Sequence, residues 1–89
     1  MNNSIPVFAH IYEYEYEDKS GLKTVGKYRI DVYKTSEGGC IHIHNAKQRL
    51  SARIGINDQM YNKVINGDID EISSYTKTAN DLWRELGLI

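Results

Sequence analysis

The sequence predicts an α+β fold: a four-stranded antiparallel meander sheet with two C-terminal helices packed on one face. Two observations carry this. Apolar residues alternate with polar ones at a two-residue period through most of residues 7–56, then recur at three- and four-residue steps over 57–87. Short, turn-prone links separate the alternating runs, so each strand's economical partner is its neighbour in the chain. With 89 residues the chain is expected to be one domain, preceded by a flexible lead at residues 1–5.

The first strand runs from Val7 to Glu17, with Phe8, His10, Tyr12, Tyr14 and Tyr16 on one side and Ala9, Ile11, Glu13, Glu15 and Glu17 on the other. Asp18-Lys19-Ser20-Gly21 supplies a turn. The second strand spans about Thr24 to Lys34, turning Tyr28, Ile30 and Val32 one way and Lys27, Arg29, Asp31 and Tyr33 the other. After the loop at residues 35–39, a third strand over Cys40–His44 points Ile41 and Ile43 inward. A fourth, over Arg49–Ile56, points Leu50, Ala52, Ile54 and Ile56 inward. Asn57 or Asp58 caps a first helix carrying Met60, Tyr61, Val64 and Ile65, which ends before Gly67. Asp68 and Glu71 have capping-box spacing for a second helix with the stripe Ile72, Tyr75, Ala79, Leu82, Trp83 and Leu86. Residues 69–73 read equally as a short strand or turn, with the helix starting at Ser74.

Composition narrows the function. The net charge of −1 and 40% hydrophobic content suit an ordinary soluble domain and exclude a chain too polar to fold. No apolar run is long enough for a membrane helix. The single cysteine, Cys40, excludes an internal disulfide and a thiolate-rich zinc site, and points to a reducing, cytoplasmic setting. No glycine-rich phosphate loop, nucleotide fingerprint or serine elbow is present. A sequence pI near 6.3 argues against bulk nucleic-acid affinity. Yet residues 38–57 contain no acid, only Lys47, Arg49 and Arg53 beside His42 and His44.

If the isoleucines of the third and fourth strands meet the helices, His42, His44, Arg49, Ser51 and Arg53 share the opposite face, with Lys47 at the turn. Such a patch suits phosphate, RNA or an acidic protein surface, because guanidinium presents a fork of donors. Imidazoles two apart on a strand project together, but a metal needs a third ligand; only His10 offers itself, and no metal or other cofactor is expected. Tyr12, Tyr14 and Tyr16 form a contact surface if they point outward, and belong to the core if they point inward. Trp83 lies in an apolar stripe and reads as core.

The stretch Cys40-Ile41-His42-Ile43-His44, followed by Ala52-Arg53-Ile54-Gly55-Ile56 and a tail reaching Trp83, resembles a family of short uncharacterised bacterial proteins. Those are built around a Pro-His-Phe-His-like strand, a second strand and a helical tail ending near a tryptophan. The likeness covers roughly residues 28–86, with Gly39-Cys40-Ile41 standing where that family has its proline. It implies a similar fold and a mobile-element neighbourhood, and no established activity. Length, Asn/Ile-rich composition and the lack of catalytic apparatus are similar, at the level of class, to small phage-encoded inhibitors such as anti-CRISPR proteins.

The expected function is therefore a small non-catalytic binding protein, phage or mobile-element encoded, docking on a larger protein or nucleoprotein complex through its polar sheet face. The partner-binding residues are expected among His42, His44, Lys47, Arg49, Ser51, Arg53, Tyr12, Tyr14 and Tyr16; a homodimer is possible and no membrane is involved. The alternative is an RNA-binding or metal-independent RNA-cleaving, toxin-like protein, with imidazole as general base and arginine stabilising phosphate charge.

Overall fold

A computed structural model describes residues 5–89. The flexible lead expected at residues 1–5 thus falls almost wholly outside the described residues. Four strands, β1 (Phe8–Glu17), β2 (Lys23–Thr35), β3 (Gly38–Asn45) and β4 (Leu50–Ile56), precede helices α1 (Asp58–Ile65) and α2 (Ile69–Glu85). The strands form one sheet in the order β1-β2-β3-β4, and every neighbouring pair is antiparallel. None of the described helices is long and apolar enough to cross a membrane.

Each link has a local cause. Asp18 Oδ1 accepts from the backbone N–H of Ser20 (2.9 Å) and of Leu22 (3.0 Å), while Gly21 takes φ +86°, which reverses the chain between β1 and β2. Thr35 pairs with Gly38, leaving only Ser36 and Glu37 between β2 and β3. At Gly38 the backbone has φ +139°, and an added Cβ would stand 2.3 Å from the Ile56 carbonyl oxygen. No side chain fits at this corner, where β4 hands over to α1. Between β3 and β4, Asn45 pairs with Leu50 and Arg49 takes the left-handed φ of 56°. β4 therefore starts at Leu50, not Arg49. Its alternation places Ser51 and Arg53 on one face but says nothing of Arg49.

Both helices are capped as expected: Asn57 Oδ1 accepts from Met60 N–H (2.9 Å) and Asp68 Oδ1 from Glu71 N–H (3.1 Å). The second cap settles residues 69–73 as helix. Only half of the capping box forms, because the Glu71 carboxylate accepts from Tyr75 Oη.

The core lies between the helices and one face of the sheet. Tyr28, Ile30, Val32, Ile41 and Ile43 are buried there against Val64, Ile72, Ala79 and Trp83, which is 2% exposed. The tyrosine row of β1 faces the same way. Tyr16 is buried, Tyr12 and Tyr14 are half-buried against the core, and Tyr12 Oη hydrogen-bonds Thr76 Oγ1 on α2. This corrects the outward reading of Tyr12, Tyr14 and Tyr16. Their rings complete the floor beneath α2, and the Glu row takes the other side.

A second correction concerns the stripe on α2. Leu82 and Leu86 are 49% and 63% exposed, whereas Thr76 and Asn80 are buried. At about 100° per residue the buried arc runs from Tyr75 through Ala79, Ile72, Trp83 and Thr76 to Asn80, and Leu82 lies just past its Tyr75 end, roughly a quarter turn from its centre. Leu86 sits beyond the last helical residue, Glu85.

A polar thread crosses this interior. Tyr28 Oη donates to Asn80 Oδ1 (2.7 Å) and accepts from Asn45 Nδ2 (3.2 Å), while Asn45 Oδ1 accepts from the Gln48 N–H (3.2 Å). The direction is fixed from one end. Gln48 N–H needs the Asn45 oxygen, so the Asn45 amide turns its N–H toward Tyr28, whose own proton goes to Asn80.

Candidate functional site

The sheet face opposite the helices is uncovered. Register sets its side chains in rows: Asp31 pairs with His42 and His42 with Arg53, while Arg29 pairs with His44 and His44 with Ser51. Tyr33, Cys40 and Gly55 make the next row. Parity thus brings His42, His44, Ser51 and Arg53 together, as read from the sequence. Lys47 and Arg49 lie exposed in the adjoining loop.

Asp31 is the centre of this face, and composition does not single it out. Its side chain is only 9% exposed despite standing on the uncovered side of the sheet. Arg29 Nε donates to both its oxygens, at 2.9 Å and 3.2 Å, and His44 Nε2 lies 3.7 Å from Oδ2. A buried carboxylate is costly unless paired, and the Arg29 guanidinium meets that need, with His44 beside it. The sequence signal for it is Arg29-x-Asp31, two residues of opposite charge on one face of a strand, opposite a second strand bearing His-x-His.

His42 completes the group. Its ring centroid lies 4.7 Å from that of Tyr33 and 6.3 Å from that of His44. Partial burial, then the Arg53 guanidinium and then His44 hold its pKa below the ordinary histidine value, against a weaker opposite pull from Asp31. His42 is therefore a neutral imidazole near pH 7, able to accept or donate one hydrogen bond. Among the described residues Arg53 forms no ion pair, and Arg29 spends only its Nε on Asp31, so donors on both arginines remain for an acceptor from outside.

The other half of the face differs. Glu13 pairs with Lys27 and Glu17 with Lys23 across β1 and β2, with Glu15 and exposed Val25 paired between them and exposed Ile11 beyond Glu13, opposite Arg29. Cationic and acidic sectors thus lie side by side on one surface.

His10 is on the helix side of β1, stacked between Phe8 and Tyr12, with the sheet separating it from His42 and His44. It cannot join them as a third ligand. Among the described residues no group of three His, Cys, Asp or Glu is placed to hold a metal ion. Cys40 stands opposite Tyr33 and Gly55, neither of which could act as a base toward it. No family model, curated protein or solved structure matches this chain.

Proposed function

We propose that the protein is a non-catalytic binding module that docks the β2–β4 sector of its uncovered face onto an acidic surface of a larger protein or nucleoprotein complex. The observation that carries this reading is the Asp31-centred group. One buried carboxylate fixes Arg29 in place beside His44, while Arg53, two strands away, has no ion-pair partner among the described residues, on a face that none of the described helices covers. Donors held by their neighbours lose little freedom on binding, which favours recognition of fixed carboxylates. Small phage-encoded inhibitors of host defence are the class of protein this describes, and the low total charge fits a partner read by a local patch and not by bulk attraction.

The test combines capture with charge reversal. Immobilised protein should retain a partner from bacterial lysate, Arg49→Glu with Arg53→Glu should lose it, and retention should weaken as salt rises, since such contacts are screened over about 10 Å at 0.1 M. A folded double variant that keeps the same partner sinks the proposal. The neighbouring imidazoles His42 and His44, with arginines close by, also suit RNA cleavage. Cleavage of a fluorescent RNA by the parent chain, lost in both His42→Ala and His44→Ala, would replace docking with that second reading.

A further inference from the structure

A second surface, remote from the Asp31 group, carries a different inference. A cavity of about 270 Å³ opens at the free edge of the sheet, between the end of β1 and one side of α2. It is smaller than the roughly 300–1,000 Å³ of small-molecule sites, and suits a single side chain with its backbone. Both parities of β1 line it, from Tyr14 to Glu17. A face of a strand would contribute only alternate residues, so the cavity meets the strand along its edge.

The edge is open from Glu13 to Glu17; just beyond it, Lys19 N–H donates to the Ile89 carbonyl (3.2 Å). Ala46 N–H donates to the Lys27 carbonyl (3.2 Å) and Asp18 N–H to the Leu22 carbonyl (3.0 Å). Antiparallel alternation then turns odd residues of β2 toward β3 and even residues of β1 toward β2. The backbone N–H and C=O groups of Glu13, Glu15 and Glu17 consequently point away from the sheet, beside the cavity.

The inner wall adds a specific demand. Asn80 is 2% exposed, and its Nδ2 has no hydrogen-bond partner among the described residues. Rotating the amide does not cure this, because its Oδ1 is needed as acceptor for the Tyr28 proton. A buried N–H without a partner costs about 1–3 kcal/mol, and an incoming acceptor oxygen would remove that cost. Beside it, Asp81 is held by Lys77 (3.0 Å) and Arg84 (2.9 Å), leaving this stretch of helix with a surplus of one positive charge.

We propose that this cleft binds an extended peptide segment, which adds to β1 as a fifth strand through Glu13, Glu15 and Glu17 and turns a carboxylate or carboxamide side chain inward onto Asn80. Strand addition between an edge strand and a helix is a recurrent mode of peptide recognition. Outward positions of the added strand lie beside the glutamates of β1 and therefore favour Lys or Arg. A second copy offering β4 would bring Arg53 outward but only the apolar side chains of Leu50, Ala52, Ile54 and Ile56 inward, which leaves Asn80 without a side-chain acceptor.

The probe is the blocked peptide Lys-Thr-Lys-Asp-Lys-Thr-Lys, titrated into the full chain and followed by amide NMR, beside a control with Leu in place of Asp. The Asp peptide should shift residues 13–17 and α2 and slow hydrogen exchange at Glu15 and Glu17. Glu15→Pro removes an edge N–H that bonds nothing within the sheet, and should weaken binding roughly tenfold or more without loss of the fold. Glu15→Gln should bind within a few-fold of the parent, because it keeps that N–H. The Leu peptide should also bind roughly tenfold more weakly, which tests the Asn80 contact on the parent chain even if the proline variant fails to fold. The proposal falls if both peptides bind alike, if Glu15→Pro binds like the parent, or if the shifts map to His42 and His44. It falls too if no shift appears at millimolar peptide. A parent dimer that Glu15→Pro converts to monomer would assign the edge to a second copy and overturn it as well.

Discussion

Tyr28→Phe removes one oxygen atom from the middle of the molecule and should destabilise it far more than that suggests. Tyr28 is fully buried, and its hydroxyl is both the donor to Asn80 Oδ1 and the acceptor from Asn45 Nδ2. Burial, only partly offset by those two bonds, pushes its pKa up to about 12, so it remains a donor at any ordinary pH. Deleting it orphans two buried polar groups, each costing about 1–3 kcal/mol. The hydroxyl's own desolvation, roughly 1–2 kcal/mol, is recovered. The net loss is about 3 kcal/mol, set against a total stability near 4–13 kcal/mol for a domain of this size. Urea denaturation of the two proteins measures it directly, and the melting temperature should fall by roughly 12–20 °C. The same loss should be smaller in an Asn80→Ala background, since the two residues share one network. Tyr28→Phe unfolding within about 0.5 kcal/mol of the parent would show that the thread contributes nothing, and the fixed orientation of Asn80 would fall with it.

Two further outcomes follow from burial and from charge. Trp83→Ala should cost about 3–5 kcal/mol by the same assay, as expected for an aromatic ring lost from a packed core, whereas Leu82→Ala should cost much less because Leu82 is half in water; equal losses would put the stripe of α2 back where hydrophobicity alone places it. The His42 imidazole should titrate below the ordinary histidine range by NMR, and Arg53→Gln should raise its midpoint. With the folded pKa depressed, the unfolded chain takes up a proton first as pH falls through about 6.5, so this residue lowers stability on acidification and has no effect above that pH; an unshifted midpoint would refute the crowding described around it.

The uncovered face was legible because a strand has a period of two. Once Ile41 and Ile43 are assigned inward, His42 and His44 have nowhere else to go, and the same arithmetic fixes Ser51 and Arg53. Arg49 escaped that arithmetic because a left-handed turn residue breaks the alternation, and arginine carries no mark of such a backbone. Asp31 was legible in direction but not in burial, which depends on Arg29 and His44 arriving from the same and the neighbouring strand. The exchange of Leu82 for Asn80 on α2 had no local signal at all. Hydrophobicity favours the leucine, and what favours the asparagine is a tyrosine hydroxyl 52 positions earlier in the chain. The tyrosine row of β1 was ambiguous for a related reason: an amphipathic ring suits either side of a sheet until a helix supplies a partner such as Thr76.

The meander has a temporal consequence. Every strand pairs with the strand next to it in sequence, so loop closure is cheap and the sheet needs no contact with distant chain to zip up. The helices that cover its Ile, Val and Tyr face all follow it in the chain. During synthesis, at about 5–20 residues per second, a complete sheet can therefore stand with one apolar face bare for a few seconds before Trp83 emerges to close it. Two edge strands are open over the same interval. β1 carries Glu13, Glu15 and Glu17 along its edge, and each negative charge there discourages a neighbouring nascent chain from pairing before the helices arrive.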